Sequence, residues 1–200
     1  MMMAALIDRP AGDRSTPRLM SWLLVCVVVL GWIVALAERL WVGRALPLWI
    51  DETWTAMIAS QTGWASFWHE AWLDVNPPLY YGFMALWTRL AGLSDLALRL
   101  PSALFVIIAA LLPLMWRGTA LSRSGRLCGS ALLILWWPGF EISLDARGYG
   151  LLLLLSVAQT LAFANVLEQP DRRTAGLWSA LAAAAILTHY FALIPAAVQG

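Results

Sequence analysis

Five long stretches of this chain carry no charged side chain: residues 19–37, 100–116, 127–140, 148–167 and 174–194. A helix rises about 1.5 Å per residue, so about 20 apolar residues match the roughly 30 Å hydrocarbon core of a bilayer. Charged residues make up 12% of the chain and hydrophobic residues 61%, against roughly 25% and 45–50% in a water-soluble domain. Too few charges remain to cover a soluble globule. The pattern predicts an all-α polytopic membrane protein with about five transmembrane helices, near 19–37, 98–116, 127–144, 148–167 and 174–194. It excludes a disordered chain, a coiled coil, a disulfide scaffold and a nucleic-acid partner. Cys26 and Cys128 sit in separate apolar runs and read as small fillers rather than metal ligands.

Every basic residue is an arginine, 13 in all, which fits a GC-rich bacterial genome. With the five spans crossing, residues 1–18, 117–126 and 168–173 share one side with eight arginines against four acids. The other side holds five arginines against eight acids. Positive charge collects on the cytoplasmic side of a membrane, so residues 1–18 form a cytoplasmic N-terminus and the chain is expected in a bacterial inner membrane. Ala35-Leu36-Ala37 resembles a signal cleavage site, but the preceding apolar run exceeds the usual h-region of roughly 7–15 residues. An uncleaved anchor is expected.

The outer segment, residues 38–97, holds seven of the 13 tryptophans. Indole favours the headgroup level, where its N–H stays wet and its ring is buried. Two interfacial helices are expected here. The first runs from about residue 53 and is punctuated at Gly63. The second starts at Asn76-Pro77-Pro78, with Asn76 as cap, and stops near Gly92. Ser94-Asp95 caps the next helix.

Chemistry can sit at a few charged positions. Asp51-Glu52 lies between apolar Ile50 and Trp54, where two carboxylates are costly unless paired or used. One could take a proton from an acceptor hydroxyl. The plainer reading makes Asp51 a helix cap and Glu52 a partner of the helix dipole. Arg99 and Arg147 both fall on the outer side, and arginine forks match phosphate oxygens. The plainer reading pairs them with acids such as Asp95 or Asp145. Glu141 and Asp145 are candidates for a second site acid, and His189 closes the fifth span.

These pieces, in order, resemble the polyprenyl-phosphate-dependent glycosyltransferases of the GT-C fold, in particular the bacterial branch related to protein O-mannosyltransferases and the lipid A aminoarabinose transferase. They are Trp49-Ile50-Asp51-Glu52, Asn76-Pro77-Pro78-Leu79-Tyr80-Tyr81, Ala97 through Phe105 with Arg99-Leu100-Pro101-Ser102 inside it, Asp145-Ala146-Arg147-Gly148-Tyr149 and Thr188-His189-Tyr190. The resemblance spans residues 19–195, a GT-C-like membrane module. It implies Asp51 as catalytic base with Glu52 assisting. It implies Arg147 as the phosphate holder, helped by Arg99 and Tyr149, with Asn76, Asp145 and His189 also at the substrate. The donor would be a polyprenyl-phosphate sugar. The acceptor would be a hydroxyl on a glycan, lipid or protein at the outer face, and the sugar would be inverted. No cofactor and no metal are expected.

The family commonly carries His where this chain has Asn76, and Asn cannot titrate. Its members are longer, so the chain is expected to be the N-terminal module of a larger enzyme. The competing expectation from another class is a non-catalytic bundle, either transporter-like or a lipid-binding scaffold.

Overall fold

The computed structural model describes residues 16–116, 118 and 121–200. Most of the expected cytoplasmic N-terminus, with Arg9 and Arg14, lies outside the described residues, as does Arg117. Every regular element among the described residues is helical. Among the described residues, two helices, Asp95–Met115 and Tyr149–Glu168, are long and apolar enough to cross a membrane.

Helix α1 covers Thr16–Ala45, well past the uncharged run that ends at Ala37. Nothing breaks it before Pro47, which disfavours helix in the residue ahead of it. The extension is held by Arg39, which is 2% exposed. Its Nε donates to Ser143 Oγ at 2.7 Å, and its guanidinium lies 5.0 Å from the Phe140 ring centre.

The outer segment forms three helices, not two: α2 (Ile50–Ala59), α3 (Trp64–Leu73) and α4 (Leu79–Ala91). The break expected at Gly63 is a full interruption, since α2 ends at Ser60 and α3 restarts from Gly63. Asn76 does not cap α4. Its backbone N–H and its side-chain amide both donate to Asp74 Oδ1, at 2.8 and 3.0 Å. That Asx turn delays the helix to Leu79, with Pro78 at the cap position. Gly92 ends α4 at φ +81°, a conformation that suits glycine alone at low cost. Ser94 Oγ then accepts from Ala97 N and starts α5, Asp95–Met115.

The third apolar stretch is also divided, into α6 (Arg123–Leu135) and α7 (Trp137–Ser143). Pro138 sits in the first turn of α7, where its missing N–H costs nothing. Helix α8 is Tyr149–Glu168, and α9, capped by Asp171, is Arg172–Thr188. The fifth apolar stretch does not continue to residue 194 as one helix. His189 is extended at φ −161° and ψ 136°, a 3-10 turn covers Tyr190–Ala192, and α10 covers Leu193–Gln199.

Helix α5 is the hub, packed on α1, α6, α7 and α8, while α9 lies along α8. The α5–α8 crossing is close. A Cβ on Gly150 would meet the Ser102 backbone oxygen at 2.9 Å, so a side chain there would force the helices apart. At that same end α2, α3 and α4 close over a core of Ile58, Phe67, Tyr80, Tyr81, Met84 and Leu98. The helix starts of α2, α5 and α8 and the end of α9 thus converge.

Candidate functional site

The convergence is organised by Glu52. Its side chain is fully buried, at the third position of α2. One turn earlier the chain leaves the Trp49 N–H unpaired, and Glu52 Oε2 accepts from it at 3.1 Å. Both oxygens also meet Arg99, from the second turn of α5. Nε donates to Oε1 at 2.7 Å and Nη2 to Oε2 at 2.5 Å, a two-pronged pair. Oε1 accepts further from Ala146 N at 2.9 Å. One carboxylate therefore ties together the start of α2, the start of α5 and the loop between α7 and α8.

Arg99, 4% exposed, is equally committed. Besides Glu52 it donates from Nη1 to the Leu46 carbonyl and from Nη2 to the Pro47 carbonyl, the latter at 2.8 Å. The sequence expectation gave Glu52 an assisting role and Arg99 a share of a phosphate. In the structure each is the other's partner, and together they hold the starts of α2 and α5 and the loop between α7 and α8 in place.

Arg147 is different. It follows Ala146 in the same loop, its carbonyl accepts from Ser102 Oγ at 3.3 Å, and it is 7% exposed. Its side-chain contacts among the described residues all leave from Nη1 and all are long. They reach the Asp51 carbonyl at 3.2 Å, the Tyr81 hydroxyl at 3.4 Å and Asp74 Oδ2 at 3.9 Å. A buried guanidinium so loosely satisfied can take an anion.

Arg147 lines a narrow crevice together with Asn76, Tyr80, Tyr81, Tyr149 and His189, with internal room for about one water. The Tyr80 hydroxyl is buried there beside Ser102. Burial pushes the Tyr80 and Tyr81 hydroxyls up, so both stay protonated donors. His189 Nδ1 accepts from Phe191 N at 3.2 Å, which assigns the proton of the neutral ring to Nε2. Its ring lies 5.4 Å from that of Tyr149. Burial, then the charge of Arg147, pulls its pKa down, so it is a neutral donor at physiological pH.

Asp51, one residue before the clamp, is half-buried. No hydrogen bond from the described residues reaches its carboxylate, although its carbonyl holds Arg147. Asp145 Oδ1 accepts from Trp49 Nε1 at 3.3 Å. Burial pushes its carboxyl up to about 6; the Glu52 and Asp51 charges add to this, and the Trp49 bond and Arg147 oppose it. Glu141 points elsewhere, exposed and bonded to Trp137 Nε1 at 2.9 Å.

The raised Asp145 pKa has a sign. In the folded protein it keeps its proton to about pH 6, against 3.8 ordinarily. Folding therefore binds a proton between those values, and stability falls as pH rises from about 4 to about 6. Above pH 6 the penalty is complete. Asp145→Asn, whose amide oxygen still accepts from Trp49, is expected to stabilise the protein by about 1–2 kcal/mol at pH 7.5, after allowing for its contact with water. The gain should vanish by pH 4 in thermal unfolding scans in detergent. A gain that grows on acidification would contradict the assignment.

No family model, curated protein or solved structure matches this chain. Of the residues singled out in the sequence, Asn76, Arg147, Tyr149 and His189 share one crevice, and Asp51 and Asp145 adjoin Arg147. Glu52 and Arg99 lie behind it as its support. Asp74 was missed, and so were the roles of Tyr80, Tyr81 and Trp49. The string Asp74-Val75-Asn76-Pro77 was the available signal, because Asp two residues ahead of Asn before a proline is turn chemistry. Among the described residues, no three His, Cys, Asp or Glu side chains gather as a metal site requires.

Proposed function

We propose that the chain is the catalytic module of a multi-pass membrane glycosyltransferase, moving a sugar from a polyprenyl phosphate to an acceptor hydroxyl. One observation carries the reading. A buried guanidinium with only long contacts, Arg147, holds the backbone of Asp51, whose carboxylate has no donor among the described residues. A phosphate gripped by Arg147 and a proton acceptor at Asp51 then lie side by side, as displacement at a phosphate-bound sugar requires.

In the reaction the acceptor oxygen attacks the anomeric carbon from the face opposite the phosphate, which inverts that centre. The bond from that carbon to the phosphate oxygen breaks and its electron pair stays on the phosphate. The acceptor's proton goes to the Asp51 carboxylate. Arg147 stabilises the charge that develops on the leaving phosphate. Tyr81, Tyr149 and the His189 Nε2–H stand on the same crevice as donors. Asn76 can hydrogen-bond substrate but cannot carry a proton.

The membrane arrangement belongs to the same proposal. Helices α1, α5, α6 with α7, α8 and α9 follow the five uncharged stretches, and the arginine bias sets the site on the outer face of a bacterial inner membrane. The acceptor is a glycan, lipid or protein reaching that face. A lipid-linked donor suits a site at the rim of an apolar bundle, since its tail stays in the bilayer.

The test is transfer from undecaprenyl-phosphate-linked sugars by the purified chain in nanodiscs. Arg147→Ala removes a charge-assisted contact of about 1.5–3 kcal/mol. Donor KM is expected to rise about 10- to 150-fold. An unchanged donor KM refutes the phosphate role. A wild-type chain that binds donor but never transfers sugar makes it a lipid-binding scaffold instead.

A further inference from the structure

A carboxylate, Asp74, faces the guanidinium proposed to hold phosphate. Asp74 ends α3 and is held by an Asx turn: Oδ1 accepts both Asn76 donors, at 2.8 and 3.0 Å. Oδ2 lies 3.9 Å from Arg147 Nη1, and the Tyr81 hydroxyl also interacts with this carboxylate. The side chains of Arg147 and Asp74 are 8% and 12% exposed. Screening between them is therefore weak, and a negative charge brought to Arg147 feels Asp74 strongly.

The proposed reaction changes the charge of the group Arg147 holds. The donor is a phosphodiester with one negative charge. The product is a prenyl phosphate monoester, whose second ionisation lies near pH 6, so above that pH it carries almost two. The bond to the sugar breaks, its electron pair stays on the phosphate, and the balancing proton is on the base.

We propose that Asp74 is a charge-selecting residue: it lets Arg147 hold the monoanionic phosphodiester donor but disfavours the dianionic phosphate monoester product, and so hastens product release. This rests on the glycosyltransferase reading above. A bare arginine site prefers the more highly charged anion, and would hold product longer than donor. With Asp74 opposite, Arg147 and Asp74 nearly cancel, so the second negative charge of the product adds repulsion beyond what the single charge of the donor meets. The other groups around Arg147 are Tyr81 from α4, Asp51 from α2, Asp145 two residues earlier and neutral His189 from the end of α9. Of the carboxylates, Asp74 is the one within ion-pair range of the guanidinium among the described residues.

Two probes isolate the headgroup charge at constant lipid: citronellyl phosphate, a monoester, and its methyl diester. Their binding to the full chain in dodecyl maltoside at pH 8 is measured by titration calorimetry. The wild-type protein should bind the diester at least as tightly as the monoester. Asp74→Asn keeps an oxygen for the Asx turn and removes the charge. It should tighten the monoester at least fivefold more than the diester. Asp74→Glu, which keeps the charge, should retain the wild-type preference, a result that a purely structural role for Asp74 does not predict.

The inference is overturned if Asp74→Asn changes the ratio of the two dissociation constants by less than fivefold. It is equally overturned by a wild-type protein that prefers the monoester more than fivefold, a measurement that needs no variant. Arg147→Ala separates the two levels. If it abolishes binding of both probes while Asp74→Asn leaves the ratio unchanged, charge selection alone falls. If wild type binds neither probe, or Arg147→Ala changes neither, the phosphate site falls and charge selection with it.

Discussion

Arg99→Ala is expected to destabilise the protein by about 3–5 kcal/mol, the usual cost of removing one partner of a buried ion pair. The carboxylate left behind, Glu52, has no exposure to water and, among the described residues, would keep only the Trp49 and Ala146 amides as donors. It must either take up a proton or draw water into the core. The Leu46 and Pro47 carbonyls lose their guanidinium donors as well. The loop from α1 to α2 should loosen, so tryptic cleavage after Arg44 should accelerate alongside the fall in thermal unfolding temperature in detergent. The double variant Glu52→Leu, Arg99→Met should recover at least half of the loss, because apolar groups of similar size replace such a pair at little cost. A single-variant cost under about 1 kcal/mol with unchanged cleavage would show that the pair does not hold the starts of α2 and α5 together.

Asp51→Asn should give the opposite phenotype from its immediate neighbour. Its carboxylate supports no hydrogen bond among the described residues, and Arg147 contacts its backbone, which the substitution leaves alone. Stability should stay within about 0.5 kcal/mol of wild type, as for surface changes that break no feature. On the glycosyltransferase reading proposed above, sugar transfer at saturating donor should fall by about 10²–10⁴, the range for loss of a general base. Donor KM should hold, since Arg147 keeps its place. Glu52→Gln should instead unfold at lower temperature. Two adjacent acids with opposite effects on stability and turnover would separate the clamp from the base; a wild-type turnover in Asp51→Asn removes Asp51 from the chemistry.

Much of the helical plan was legible residue by residue. Gly92 and Ser94-Asp95 mark the end of α4 and the start of α5 because a positive φ and a hydroxyl cap are local chemistry. The stretch 148–167 appears almost unchanged as α8, since it is uncharged and free of proline. Other boundaries were hidden. Asn76 looked like a cap because it precedes Pro77-Pro78, yet Asp74 captures its amide first. The stretch from 174 looked continuous, yet it turns at His189, whose extended backbone no apolar periodicity reports. The clamp was the least legible part. Asp51 and Glu52 are chemically near-identical neighbours, and a step of one residue turns a helical side chain by about 100°. That rotation sends Glu52 inward to Arg99, 47 residues on, and leaves Asp51 at the rim.

Charge-free length and the placing of arginines were enough, without coordinates, to require an apolar helical bundle and to nominate Asp51 and Arg147 as chemically costly where they stand. Those are properties of side chains and of their order along the chain. Which acid is buried, which arginine is committed and which retains a loose grip depended on helix phase and on contacts between distant segments. The 3.9 Å approach of Asp74 to Arg147 bridges 73 positions. Pairing across such separations is settled by how the ends of α3, α5 and α8 meet, because only close packing excludes the water that would otherwise make every one of these charges equivalent.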